Sequence, residues 1–166
     1  MPEKETIERA KQDRKEGKSA STQAGEFVRE EMHHVRQGKH GVRSPQQAVA
    51  IGLSKARRAG VKLPAPKAGK ASSRTRSQAK RDLQKGQSKS QKPTSATRSR
   101  AVSRALKRER RTAASSESLA AQARSSARRR GSASRHRAAL KAVQTKGRAR
   151  LQQAARKAAQ TRKKAA

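Results

Sequence analysis

Beyond Pro64 the chain stops supplying the side chains from which a core is built. Of its 19 Val, Ile, Leu, Met and Phe residues, only seven fall in the last 103 positions. They are scattered there among 31 Lys and Arg, with three acids, Asp82, Glu109 and Glu117. Ordering a residue costs roughly 1–2 kcal/mol of backbone entropy, and alanine, the commonest apolar residue here, buries too little surface to offset it. Low hydrophobicity with a large charge excess of one sign marks a segment that stays disordered without a partner. Of the net +34, residues 64–166 carry +28 and residues 1–63 only +6. A 166-residue globular enzyme is therefore excluded as an expectation, and a polycation that needs a polyanion remains.

Other features narrow the setting. Without cysteine there is neither a disulfide framework nor a Cys-based zinc site. No apolar run approaches the roughly 18 residues of a membrane-spanning helix. The first residues lack the apolar region of a secretory signal, and Glu3, Glu5, Glu8, Asp13 and Glu16 make them too acidic for a mitochondrial transit peptide. The Lys163-Lys164-Ala165-Ala166 end matches a dilysine retrieval signal of membrane proteins, which without a span is read as chance. The expectation is a soluble, intracellular protein.

Residues 1–25 read as a flexible mixed-charge segment. Glu5 and Arg9 sit at helical spacing, but Ile7 is the one large apolar residue after Met1, so a helix here has no evident face to bury. It is expected to fray and to lead into a Ser19–Gly25 linker. Residues 26–63 carry the local signals of a helical hairpin. Val28, Met32 and Val35 recur at i, i+4, i+7, with Phe27 at the stripe's edge, and Gly38 supplies a C-terminal stop. The second helix opens on Ser44 as N-cap, Pro45 at the first position and Gln47 as partner in a capping box. Val49, Leu53 and Ala56 form its stripe, widened by Ala48 and Ile51, and Gly60 with Val61 closes it in a Schellman motif. Ten large apolar residues in 38 fall below what normally folds alone, so a hairpin completed by dimerisation or by nucleic acid is expected equally with one that folds by itself.

Residues 64–97 read as a disordered basic linker rich in Ser, Gly and Pro. Residues 98–166 are rich in Ala, Arg, Lys and Gln, good helix formers whose like charges repel. Helix on binding is expected near 98–114, 116–130 and 135–162. The fold class is thus all-α: a small helical hairpin with a largely disordered or conditionally helical basic tail.

The tail is the main candidate for chemistry, because Lys and Arg neutralise phosphates and release counterions without reading bases. Its candidate contacts begin with Lys107, Arg108, Arg110 and Arg111, and continue through Arg128, Arg129 and Arg130 to Arg135 and Arg137. Arg148, Arg150, Arg156 and Lys157 follow, then Arg162, Lys163 and Lys164. On the hairpin, Arg43, Lys55, Arg57 and Arg58 are added. Arg36, Lys39, His40 and Arg43 ring the turn beside the Ser44 helix start, a place able to hold a phosphate. A helix-turn-helix with residues 45–59 as reading helix is disfavoured, since Ala, Val, Ile and Gly fill that helix. Glu30–His33 and Glu31–His34 each match the E-x-x-H spacing of di-iron bundles. Adjacent copies point about 100° apart and residues 44–60 offer no further carboxylate, so they read as exposed pairs and no metal or cofactor is expected. No acid–base or nucleophile constellation supports catalysis.

The run Met32-His33-His34-Val35-Arg36-Gln37-Gly38-Lys39, followed by Val42-Arg43-Ser44-Pro45-Gln46-Gln47-Ala48-Val49-Ala50-Ile51-Gly52-Leu53-Ser54-Lys55-Ala56-Arg57, resembles a family of short, uncharacterised bacterial proteins. They share a helix, a Gly-Lys turn and an S-x-Q-A-I-A-I-G-L-S-x-A-R element. The resemblance covers about 35 residues and implies a bacterial cytoplasmic origin with no established activity. Lys55 stands where members often carry Glu. In composition the tail resembles bacterial histone-H1-like proteins. The expected function is non-enzymatic, sequence-nonspecific nucleic-acid binding of a nucleoid-associated, histone-like kind. An RNA- or ribosome-associated protein is the alternative, and an adaptor to acidic membranes or proteins the second. The near-absence of aromatic side chains favours duplex DNA over single strands.

Overall fold

The computed structural model describes residues 2–88 and 95–164. The part of the expected linker at 89–94, like Met1, Ala165 and Ala166, lies outside the described residues. The chain is all-helical: α1 (Lys4–Lys15), α2 (Ala20–Arg36), α3 (Pro45–Arg58), α4 (Ser73–Gln87), α5 (Ala96–Lys107), a 3-10 turn (Thr112–Ala114), α6 (Ser116–Lys146) and α7 (Arg148–Lys164). It divides into two compact units, residues 1–120 and 121–166.

The expected hairpin is α2 and α3. Ser44 Oγ accepts from the Gln47 N–H at 3.3 Å, while Gln47 Oε1 accepts from the N–H of Arg43, one residue before the cap, at 2.8 Å. At the other end Val61 N–H donates to Ala56 O at 3.0 Å and Gly60 N–H to Arg57 O at 3.1 Å, the two bonds of a Schellman motif. Gly38 closes α2 in the same way, at φ 77°, a left-handed conformation that a side chain would strain.

The seam between the two helices differs from the expected stripes. Phe27 is the centre of one apolar cluster, with Ala24, Ala56, Val61 and Ala10. From α3 the buried positions are Ala48, Gly52 and Ala56, spaced four apart, together with Arg57, while Val49 and Leu53 are half-buried. Small residues let the backbones meet, and Val28 on α2 lies directly against Gly52. A second cluster joins Val35, Val42 and Ala48 to Ala113 and Ala114.

Three segments expected to be loose are structured. Residues 19–25 are not a linker: Ser19 caps α2 by accepting from Thr22 N–H, and Ala24 is fully buried. The first segment is a helix with a buried face made of Thr6, Ala10 and Asp13, with Ile7 packed beside them on the Phe27 cluster. Its register on α2 is reinforced by Arg9 Nε donating to Glu26 Oε2 at 2.9 Å. Small side chains form this face, so a search for large apolar periodicity passes over it. Residues 73–87 form α4 where a disordered linker was expected. Asp82, 1% exposed, accepts from Ser54 Oγ (2.7 Å) and Arg58 Nε (2.8 Å) of α3 and from Gln78 Nε2 (3.0 Å).

Asp82→Ala removes the acceptor shared by these donors and leaves Ser54 unpaired, at a cost of about 1–3 kcal/mol. The expected result is release of α4, read as new protease cleavage within 73–87 while α2 and α3 stay protected in hydrogen exchange. Unchanged protection of α4 would show that packing alone holds it.

The segment after α5 also returns to the hairpin. Gly41 N–H donates to Leu106 O (2.9 Å), Val42 N–H to Arg110 O (3.0 Å), and Arg36 Nε to Ala114 O (2.9 Å). The first unit therefore continues to Ala120, well past the Leu63–Pro66 boundary that charge and prolines suggested.

In the second unit the helices bury nothing among the residues described. Gly131 (φ 74°, ψ 166°) breaks α6, and Gly147 (φ 72°) separates α6 from α7, so the helix expected over 135–162 is two pieces. Among the described residues no helix is long and apolar enough to cross a membrane.

Candidate nucleic-acid surface and a buried polar cluster

The candidate cations fall into two groups. On the hairpin they are turned inward or paired. Arg57 is 7% exposed, and its guanidinium donates to Leu63 O (3.2 Å) and Pro64 O (3.3 Å). Burial pulls its pKa below the usual arginine value, against the pull of Asp82. Lys55 Nζ lies 2.7 Å from Glu31 Oε2 and 3.2 Å from Glu30 Oε1. Burial depresses its ammonium, but the two carboxylates outweigh burial and raise it above the ordinary lysine value. Lys55 and Arg57 thus leave the set that could meet a phosphate. Arg58 is half-exposed and bonded to Asp82, and Arg43 is exposed but 3.4 Å from Glu109.

The expected phosphate rim around the turn is likewise engaged. Arg36 holds Ala114 O, Lys39 donates to Glu3 Oε1 (2.8 Å), and His40 faces Glu31. The two acids of the tail nearest the hairpin, Asp82 and Glu109, have become its partners.

The tail cations behave differently. Lys107, Arg108, Arg110 and Arg111 are exposed, as are Arg128, Arg129, Arg130, Arg135 and Arg137. So are Arg148, Arg150, Arg156, Lys157, Arg162 and Lys163, while Lys164 is the last residue of α7. Residues 121–166 hold 15 Lys and Arg and no acid. Every described basic side chain among them is exposed, so the positive potential is uncompensated along the whole unit.

A cluster that the residue spacing undervalued lies within the hairpin. Glu31 and His34, expected as an exposed pair, are both buried, and Glu30 with them. His33 alone stays at the surface, against Gln37. His40 comes from the Gly38–Arg43 turn, and the ligand atoms of Glu31, His34 and His40 lie within 4.8 Å of one another. The missing carboxylate that argued against a metal was sought in residues 44–60; the third group is instead an imidazole from the turn before them. Glu3 reaches in from the start of α1, its Oε1 accepting from His34 Nε2 and from Lys39, both at 2.8 Å. The Lys39 and His34 bonds hold the Glu3 carboxyl down to about 2.

Residues 17–67 match a family of unknown function (DUF6496). The match takes in α2, the turn and α3, together with the Gly52 contact and the Glu31–His34–His40 cluster. It stops before α4, and so leaves out the basic unit. No curated protein and no solved structure matches the chain.

Proposed function

We propose that the protein is a non-enzymatic, sequence-nonspecific binder of duplex DNA, a histone-like component of a bacterial nucleoid in the cytoplasm. The observation that carries this reading is the second unit: 15 basic residues in residues 121–166, no acid, and no described basic side chain folded away. Such a unit releases condensed counterions from phosphates, giving strong, salt-dependent affinity indifferent to base sequence. Single strands and loops are ordinarily held by stacking on aromatics, and the chain's one aromatic residue, Phe27, is buried in the core. Membrane-surface helices present Trp, Phe or Leu, whereas the apolar positions of α6 and α7 are mostly alanine. The DUF6496 segment, with its inward-turned cations, has the part of a folded platform, for self-association or placement.

Titration of the full chain on 40-base-pair duplex, structured RNA and anionic vesicles across a salt series tests the reading. Duplex is expected to bind most tightly, with log K falling steeply against log[salt]. Equal or tighter binding to RNA makes this an RNA- or ribosome-associated protein. Preference for vesicles makes it an adaptor to acidic surfaces, and a flat salt dependence removes both nucleic-acid readings.

A further inference from the structure

We propose that Glu31, His34 and His40 bind one divalent transition-metal ion of the zinc type, which clamps the α2–α3 turn. Four observations converge on it. First, Glu31 is 1% exposed and neither of its carboxylate oxygens accepts a hydrogen bond. Lys55 Nζ and His40 Nε2 stand 2.7 and 3.2 Å from them, at ion-pair distance but off the hydrogen-bonding direction. A buried carboxylate is costly unless a cation meets it, and the ammonium that does so here, Lys55, is shared with Glu30.

Second, both imidazoles are already oriented as metal ligands are. A carbonyl oxygen only accepts, so His40 Nδ1 carries its proton toward Gly41 O, 3.0 Å away. Its Nε2 faces Glu31 Oε1 at 3.2 Å. His34 Nε2 is bonded to Glu3 Oε1 at 2.8 Å, which leaves Nδ1 as the ring nitrogen to meet a metal. A carboxylate or a backbone carbonyl on the far ring nitrogen is the usual outer-shell support of a ligating histidine. The two rings sit edge to face, centroids 6.3 Å apart.

Third, three carboxylates, Glu3, Glu30 and Glu31, converge on the cluster against two ammonium groups, Lys39 and Lys55. Fourth, the donor set selects the ion. Two imidazoles and one carboxylate suit zinc and its neighbours, whereas magnesium and calcium prefer oxygen ligands. Tetrahedral ligands at about 2.0–2.1 Å from zinc lie roughly 3.4 Å apart, so the present spacing within 4.8 Å closes with small side-chain rotations. The structural sense is direct: a small module with two small apolar clusters gains a staple between α2 and its turn.

The test uses the full chain, purified in high salt free of nucleic acid and treated with chelator, so it is independent of the DNA-binding reading. Zn2+ titrated by calorimetry is expected to bind at one ion per chain. At 100-fold excess over Kd it should raise Tm by roughly 10 °C, with Mg2+ inert. Co2+ should give visible d–d bands of a low-symmetry nitrogen–oxygen site. His40→Ala, a change in the half-exposed turn, should weaken binding by more than the 10–100-fold typical of losing an outer-shell partner. His33→Ala and His136→Ala should leave binding unchanged. Absence of stoichiometric binding overturns the proposal, as does a His40→Ala chain that binds like the parent. If His34→Ala fails to fold, His40→Ala decides.

Discussion

A chain ending at Ala120 is expected to lose nearly all of its affinity for duplex DNA at physiological salt. The cut leaves the first unit whole, because α4 and the 106–114 return segment that complete its core are kept. It removes 15 of the 45 basic residues but none of the 11 acids, so the net charge falls only from +34 to +19. If charge alone set affinity, the loss would be modest. The cations that remain, however, include Arg9, Lys18, Lys39, Lys55 and Arg58, each paired with a carboxylate, and the buried Arg57. With roughly 10 phosphates engaged, the full chain has a slope of about −9 in log K against log[salt], so doubling the salt costs about 500-fold. Removing most of those contacts should flatten the slope to about −3 and weaken binding at 150 mM salt on the order of 10³-fold or more. Fluorescence anisotropy on a labelled duplex from 50 to 300 mM salt reads both quantities. A truncated chain within ten-fold of the parent would move the binding surface into the first unit, where Lys107, Arg108, Arg110 and Arg111 are also exposed.

Gly52→Ala is expected to destabilise the first unit, against the sign that helix propensity gives. In an open helix interior Ala is favoured over Gly by about 1 kcal/mol. At position 52 the new Cβ would stand 2.7 Å from Val28 Cα and 2.9 Å from its N, backbone atoms that cannot rotate away. The helices must separate, and overpacking of this kind costs about 1–3 kcal/mol, or roughly 5–15 °C in Tm. Gly25→Ala provides the contrast, since that position has nothing within 4 Å of its added Cβ and should gain stability. Thermal unfolding followed at 222 nm distinguishes them by sign. Were both variants stabilised, the close α2–α3 approach would be wrong.

Reading α3 from the residues worked because its signals are local. Ser44, Pro45 and Gly60 act on the backbone beside them, whatever packs around the helix. The face of α1 and the placement of α4 are nonlocal. Thr6, Ala10 and Ala79 become buried surface only when α2 or α3 is there to cover them, and Asp82 reads as one acid in a basic run until Arg58 and Ser54 meet it. The same distinction governs the cations, because nothing adjacent in the chain separates Arg57, which lies inside, from Arg58, which is half out. For the Glu31–His34–His40 cluster, the i, i+3 pair was visible and the third member was not. It depends on a left-handed Gly38 folding the turn back along α2. The basic unit lies at the opposite extreme, where composition alone conveys nearly everything that exposure later adds.

The glycines of that unit set the length of its rods. Helical stretches of about 15–17 residues span roughly 22–26 Å each, and they meet at Gly131 and Gly147. One turn of duplex is about 34 Å. A single straight rod of the combined length would touch a curved column of phosphates along one tangent and then diverge from it. Rods shorter than a turn, articulated at residues with no side chain to obstruct bending, can re-aim twice along the same groove. On the proposed DNA-binding reading, the spacing of two glycines would set the pitch at which this polycation follows a duplex.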